Sequence, residues 1–290
     1  MASLYGFEVK TELPLERLNA AAGTRGELTI DVAREPLPAP RRKPVSTLTG
    51  DDGRCFYASY ELGDRCLLGL PPSGEFLLDP GAARLTVGIG DGDEALREHR
   101  IVSSAACTLL AMRGDLVLHA SAVAIGDRAV LFCGPTGRGK STLALALGEA
   151  GHGVLSEDGI AIDLERGAPV AFPGARGIRV RSSDADGGRR TDLAPDPGPS
   201  EPPPCPVAAV VLLGERGGAL TVEPLEAARA LALLTPNLTH SGGRGAIAAA
   251  FGRLAHLLHT VPAFRASLPE DLDSLPSAAA GLLDGVASHD

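Results

Sequence analysis

The sequence predicts an α/β protein: a core of strands alternating with helices, preceded by a small, mostly β N-terminal domain. Three observations predict it. The apolar run Arg128–Cys133 leads into Gly134-Pro-Thr-Gly-Arg-Gly-Lys140-Ser141, and the run Thr142-Leu-Ala-Leu-Ala-Leu147 that follows is helix-like. Residues 1–92 break into short alternating segments separated by Gly, Pro and Asp clusters. Residues 93–290 hold longer helix-period segments set between apolar strands, and the first of these helices marks the boundary between two domains, 1–92 and 93–290.

In the first domain, Phe7–Thr11, Glu27–Val32, Arg54–Tyr60, Glu75–Leu78 and Arg84–Ile89 read as strands. Asp93–Met112 reads as a helix, with Leu96, Ile101, Ala105 and Leu109 at roughly helical spacing and Gly114 ending the run. Leu116–Ile125 and Arg128–Cys133 flank Gly126-Asp127, a hairpin signal. A helix over Ser141–Ala150 is closed by Gly151, and short strands follow at Val154–Ser156, Ile160–Ile162 and Val170–Phe172. Ser182–Pro206, rich in Asp, Gly and Pro, reads as a loop without a core of its own. Val207–Leu213 is a buried strand, Pro224–Leu234 and Gly245–His259 are helices, Phe264–Leu268 is a last strand, and a helix covers Ser277–Val286.

Composition narrows the function classes. The formal net charge is −9 and Trp is absent, which argues against a general nucleic-acid or membrane-surface binder. Any phosphate recognition must be local, and one of only three lysines, Lys140, sits in the glycine-rich loop. The five cysteines include no Cys-x-x-Cys pair, as expected for free thiols in a reducing cytoplasm. No signal peptide is read at the N-terminus, and no stretch reaches the ~18 consecutive apolar residues of a membrane span.

The loop matches the Walker A pattern in full. Backbone N–H groups must turn inward to wrap phosphate oxygens, and Gly134, Gly137 and Gly139 permit the necessary angles between Pro135, Thr136 and Arg138. The helix that starts at Lys140 and runs through Ser141 and Thr142 aims its N-terminus at the anion. Lys140 supplies a point charge for the β- and γ-phosphates and Ser141 a hydroxyl for Mg²⁺. The loop is therefore expected to hold a nucleoside triphosphate with Mg²⁺.

Glu157-Asp158 ends a short strand just after the loop's helix. In a parallel α/β sheet that is the edge where ligands gather, and adjacent residues of an extended segment point to opposite sides. One acid can face a metal; position alone leaves a solvated turn equally open. His119 lies in the apolar run before the loop's strand, where periodicity does not decide between a core and a catalytic role. His240, in a Gly-rich turn ending at Arg244, reads first as a loop residue, and His256 and His259 have no third ligand at hand.

His119-Ala-Ser-Ala122, the Gly134–Thr142 loop and Gly151-His-Gly-Val-Leu-Ser-Glu-Asp158 together resemble the HPr serine kinase/phosphorylase family. The resemblance covers about residues 100–285. It implies a P-loop kinase core that phosphorylates a serine hydroxyl with ATP and Mg²⁺. It also implies that Lys140 holds phosphate, that Ser141, Glu157 and Asp158 serve the metal, that Asp158 is the base, and that His119 tunes Asp158. A homo-oligomer is implied as well. Two departures stand out: the first acid is Glu157 where the family has Asp, and Ala171–Arg179 carries no Glu where the bifunctional enzymes do. The reverse, phosphate-removing reaction is not carried over. Tyr5–Leu15, Val261–Arg265 and Asp271–Pro276 resemble a divergent branch that includes serine kinases of lasso-peptide precursors.

The function expected from the sequence is transfer of phosphate from ATP to a serine of a peptide or small protein. Two alternatives stay open: a kinase of a small-molecule hydroxyl, and a nucleotide-dependent regulator without transfer.

Overall fold

The computed structural model describes residues 1–20, 24–49, 53–88, 93–183, 189–194, 202–217, 219–240, 244–271 and 275–287. The chain divides into two compact units: Met1–Val117 with Thr239–Ala250, and Leu118–Leu238 with Phe251–Asp290. The sequence sets its boundary before the helix at residue 93, whereas by compactness that helix falls in the first unit.

In the first unit, eight strands form one sheet: β1 (Ser3–Leu4), β2 (Phe7–Thr11), β3 (Glu27–Val32), β4 (Ser46–Thr49), β5 (Cys55–Leu62), β6 (Arg65–Gly69), β7 (Glu75–Asp79) and β8 (Arg84–Val87). Their order is β1-β2-β3-β8-β7-β6-β5-β4. Alternation does what the sequence reading requires of it. Phe7, Val9, Leu28, Ile30, Phe76, Leu78, Leu85 and Val87 are all buried, each side chain contributing about 1.5–3 kcal/mol. The expected helix is present as α1 (Glu94–Arg100), a π-helical turn Ile101–Ala105, and α2 (Ala106–Arg113). Asp93 Oδ1 caps α1 by accepting from Ala95 N at 2.9 Å and Leu96 N at 3.2 Å. Gly114, at φ 110°, ends α2 in the left-handed region that glycine tolerates. Ile89, the last residue of the expected fifth strand, lies outside the described residues.

The chain passes from one unit to the other within β9 (Leu116–Leu118). The second unit then holds β10 (Ser121–Ile125), β11 (Arg128–Cys133), α3 (Lys140–Glu149), β12 (Gly153–Ser156), β13 (Ile160–Asp163), β14 (Val170–Phe172), β15 (Ile178–Ser183), β16 (Arg189–Ala194), β17 (Cys205–Leu213), β18 (Thr221–Leu225) and α4 (Ala227–Leu234). After it come α5 (Arg244–Thr260), which spans the division between the units, β19 (Ala263–Ser267) and α6 (Leu275–Ala287). The sheet order is β12-β10-β11-β17-β14-β13, with β19 beside the far end of β17 and β18 beside β19. On one face α3 and α6 bury Leu143, Leu147, Ala279, Leu282 and Val286 against Val123, Val130, Phe132, Val211 and Phe264.

The sheet is mixed rather than parallel. The Gly126-Asp127 turn forces β10 and β11 antiparallel, with Ile125 opposite Arg128, while β11, β17 and β19 run parallel. Three further expectations are corrected. Leu116–Ile125 is two strands broken at His119-Ala120. Pro224 lies in a strand, not a helix: β18 pairs antiparallel with β19 and is an edge, the place where a proline's missing N–H costs nothing. Ser182–Pro206 is not all loop, because β15 and β16 pair as an antiparallel hairpin around it; residues 184–188 and 195–201 lie outside the described residues.

Candidate active site at the phosphate loop

Strand direction assembles the site. β10 runs antiparallel to both β11 and β12, so β11 and β12 point the same way and end at the same edge. β10 begins there. The residues after β11 and β12 and those before β10 therefore meet: Gly134, Glu157-Asp158 and His119. β17 and β19 are parallel to β11, so their ends, and the segment from Gly214 onward, reach that edge too.

The loop's glycines are used. Gly134, Gly137 and Gly139 have φ of 135°, 87° and 97°, all in the region closed to most side chains. A Cβ at Gly134 would also lie 2.7 Å from the Leu213 carbonyl oxygen, so β17 leaves no room for one. Gly139 is the N-cap of α3 and gives it no side-chain cap. Gly139 therefore puts no side chain of its own over the first-turn N–H groups of Lys140, Ser141 and Thr142, as an anion site requires. Lys140 is buried, and its Nζ donates to the carbonyl oxygens of Gly134 at 2.8 Å and Pro135 at 3.3 Å. Arg138 Nη2 pairs with Glu215 Oε1 at 3.1 Å, which ties the loop to the segment after β17.

Two side-chain pairs flank the loop. Ser141 Oγ donates to Glu157 Oε1 at 2.7 Å, joining a hydroxyl on the first turn of α3 to a buried carboxylate at the end of β12. A hydroxyl and a carboxylate, completed by phosphate oxygens and water, are the oxygen set Mg²⁺ takes, so these residues fit the ion. Among the described residues there is no cluster of three or more His, Cys, Asp or Glu side chains suited to a metal, and this kind of site needs none. In the second pair, His119 Nδ1 lies 2.8 Å from the Asp158 carbonyl oxygen and 3.3 Å from its Oδ1. Both partners are acceptors, so Nδ1 carries a hydrogen in this arrangement. Both side chains remain partly exposed. Asp158 sits at φ 73°, a conformation Asp tolerates better than most residues, in a turn where Ser156 Oγ donates to Gly159 O at 2.5 Å.

Glu157 thus meets Ser141, and Asp158 meets His119. Asn237 is a member of the site that the sequence reading misses. Its backbone oxygen accepts from His119 N at 2.7 Å, and its Nδ2 donates to the carbonyl oxygens of His119 at 3.2 Å and Gly134 at 3.3 Å. One buried amide therefore fixes the break before β10 against the start of the loop. Nothing in the local pattern Thr235-Pro-Asn237 marks it, because its partners are more than a hundred residues away in sequence. His240 is half-buried, and burial lowers its pKa below the usual 6.5. Ser241–Gly243 of its Gly-rich turn lie outside the described residues. Cys133, directly before the loop, is wholly buried, and burial pushes its thiol up to about 12, so it packs as a neutral side chain.

No protein-family model matches the chain, and no curated protein sequence matches it. Among solved structures, the chain is similar to the HPr(Ser) kinase/phosphatase from Coxiella burnetii, at 16% sequence identity and a TM-score of 0.35 over 60% of this chain and 91% of that one. A likeness of that size carries no argument, and the chemistry of the site rests on its own residues. Among the described residues no helix is long and apolar enough to cross a membrane.

Proposed function

We propose that the chain is an ATP- and Mg²⁺-dependent kinase that transfers the γ-phosphoryl group to a serine hydroxyl of a peptide or small protein. The observation that carries this reading is the placement of two different acids at one strand edge. Glu157 is bonded to the hydroxyl that follows the loop lysine, and Asp158 faces His119 beside it. Metal binding and proton abstraction are separate tasks in phosphoryl transfer, and two acids in two environments divide them.

Lys140 and the amides of Gly137–Ser141 hold the phosphate oxygens. Ser141 and Glu157 hold Mg²⁺, which when bound offsets charge on those oxygens. Asp158 accepts the proton of the acceptor hydroxyl, and His119, donating from Nδ1, fixes the turn that presents the carboxylate. A serine of a peptide is the first acceptor to try, since the partly exposed Asp158 is reachable from solvent.

The test is transfer of label from γ-labelled ATP to serine-containing peptides and to small hydroxyl compounds. Asp158→Asn is the right control, because Asn also tolerates a positive φ and keeps the turn intact. Transfer to peptides that falls at least about a hundredfold in Asp158→Asn is the expected result. Transfer at full rate in that variant removes Asp158 from the role. Label passing only to small hydroxyl compounds replaces the acceptor, and nucleotide binding with no transfer to anything leaves a nucleotide-dependent regulator.

A further inference from the structure

The phosphate loop has two flanks. On the β12 side lie Ser141–Glu157 and His119–Asp158. On the β17 side the chain continues past Leu213 into Gly214-Glu-Arg-Gly217, and this segment is not a loose loop. Gly214 N donates to Ala266 O at 2.8 Å, Gly217 N to Leu268 O at 2.9 Å, and Glu270 N to Gly217 O at 3.1 Å. The ladder between β17 and β19 is in effect prolonged beyond both strands, so its side chains have fixed origins.

Arg216 stands on this prolongation and lies against the phosphate loop. A Cβ at Gly139 would sit 2.9 Å from Arg216 Nη2 and 3.7 Å from its Cζ. The guanidinium is therefore at the N-cap of α3, beside Lys140. Both the helix terminus and the lysine are positive there, and the protein holds a third positive group next to them. Its hydrogen bond among the described residues is a long one, from Nη1 to Glu270 O at 3.4 Å. The neighbouring acid, Glu215, is turned to Arg138 instead. Arg265 adds another cation on this flank, its Nε 3.3 Å from where a Cβ of Gly214 would be. In a chain of net charge −9, placing cations together against a helix N-terminus costs energy that an anion between them recovers.

We infer that Arg216 is a binding residue for the nucleoside-side phosphates of the triphosphate. This rests on the kinase reading above, which fixes the other end. The γ-phosphate must lie near Asp158 and the Ser141–Glu157 pair, over the β12 side of β11. The rest of the phosphate chain then runs across the loop toward β17, where Arg216 waits. A guanidinium there contacts phosphates that ATP and ADP share, and it stays clear of the group being transferred. It serves affinity and placement rather than the chemical step.

The test is calorimetric titration of the full chain with ATP and with ADP, each with Mg²⁺, for the wild type, Arg216→Gln and Arg216→Lys, alongside thermal melts without nucleotide and kcat at saturating ATP. Arg216→Gln is expected to weaken ATP and ADP by the same factor, about tenfold, as for loss of one charge-assisted contact. The melt of the nucleotide-free protein and kcat stay close to wild type, and Arg216→Lys recovers most of the affinity. Arg216→Met, which keeps a long unbranched side chain without the charge, carries the same expectation if the Gln variant does not fold. Unchanged affinities with a lowered melt overturn the inference in favour of a purely structural clip. Loss confined to ATP with a fall in kcat overturns it in favour of a γ-phosphate contact, and equal loss in the Lys variant removes the charge argument. A wild type that binds neither nucleotide sinks the kinase reading itself, which is a different result from any of these.

Discussion

At the residue scale, the site is built by side chains that satisfy one another across the chain. Asn237 shows the cost of removing one. Asn237→Ala leaves the carbonyl oxygens of His119 and Gly134 without the donor they now share in a buried place. It is expected to destabilise the protein by about 1–3 kcal/mol. It should also slow phosphoryl transfer more than it weakens nucleotide binding, because His119 moves relative to the loop; a denaturant titration and steady-state kinetics check the two halves. A loss of stability with transfer unchanged would reduce Asn237 to a packing residue. What was legible here follows physical type. Gly134, Gly139, Lys140 and Ser141 form a local pattern, and each stands where the pattern puts it. Asn237 and Arg216 are single residues whose meaning comes from strands folded beside them, and no local pattern announces them. That Glu157 and Asp158 face different partners was legible as a possibility of extended backbone. Assigning Ser141 to one and His119 to the other needed the turn at Asp158, with its φ of 73°.

At the element scale, short-range signals did well and pairings did not. Strand β11, helix α3 and strand β14 fall where periodicity and turn residues put them, within a residue or so at each end. The hairpin expected at Gly126-Asp127 makes β10 and β11 antiparallel neighbours. The ligand edge is kept, since two antiparallel steps return β12 to the direction of β11. Pro224 misled as a helix start, when an edge strand was the other place open to it. The break at His119-Ala120 was hidden in an unbroken apolar run. Helix ends offer a direct check of the physical account. Asp93→Ala removes the cap of α1 and is expected to cost about 1 kcal/mol, read as a lowered denaturation midpoint with the slope unchanged. Asp93→Asn or Asp93→Ser should restore most of the loss. An Ala variant as stable as wild type would mean that the cap seen at Ala95 and Leu96 contributes nothing measurable.

At the scale of the whole molecule, the division of labour was partly legible. A strand-rich beginning and a helix-bearing remainder follow from composition and turn spacing. The division by compactness is not visible in sequence, because Thr239–Ala250 returns to the first unit only through the fold. Composition also set a useful bound: with a net charge of −9, phosphate recognition has to be local, and Lys140, Arg138 and Arg216 gather at one loop. The central claim is that this loop, with Ser141 and Glu157, holds a magnesium-bound triphosphate. Calorimetric titration of ATP into the wild type, Lys140→Ala and Glu157→Gln, each with and without Mg²⁺, tests it most directly. The account predicts that Mg²⁺ strengthens ATP binding in the wild type. Glu157→Gln should lose most of that Mg²⁺ effect while still binding ATP, and Lys140→Ala should lose affinity by about a hundredfold or more, as for removal of a buried charge-assisted contact. ATP affinity that is the same in all three proteins, or indifferent to Mg²⁺ in the wild type, would contradict it.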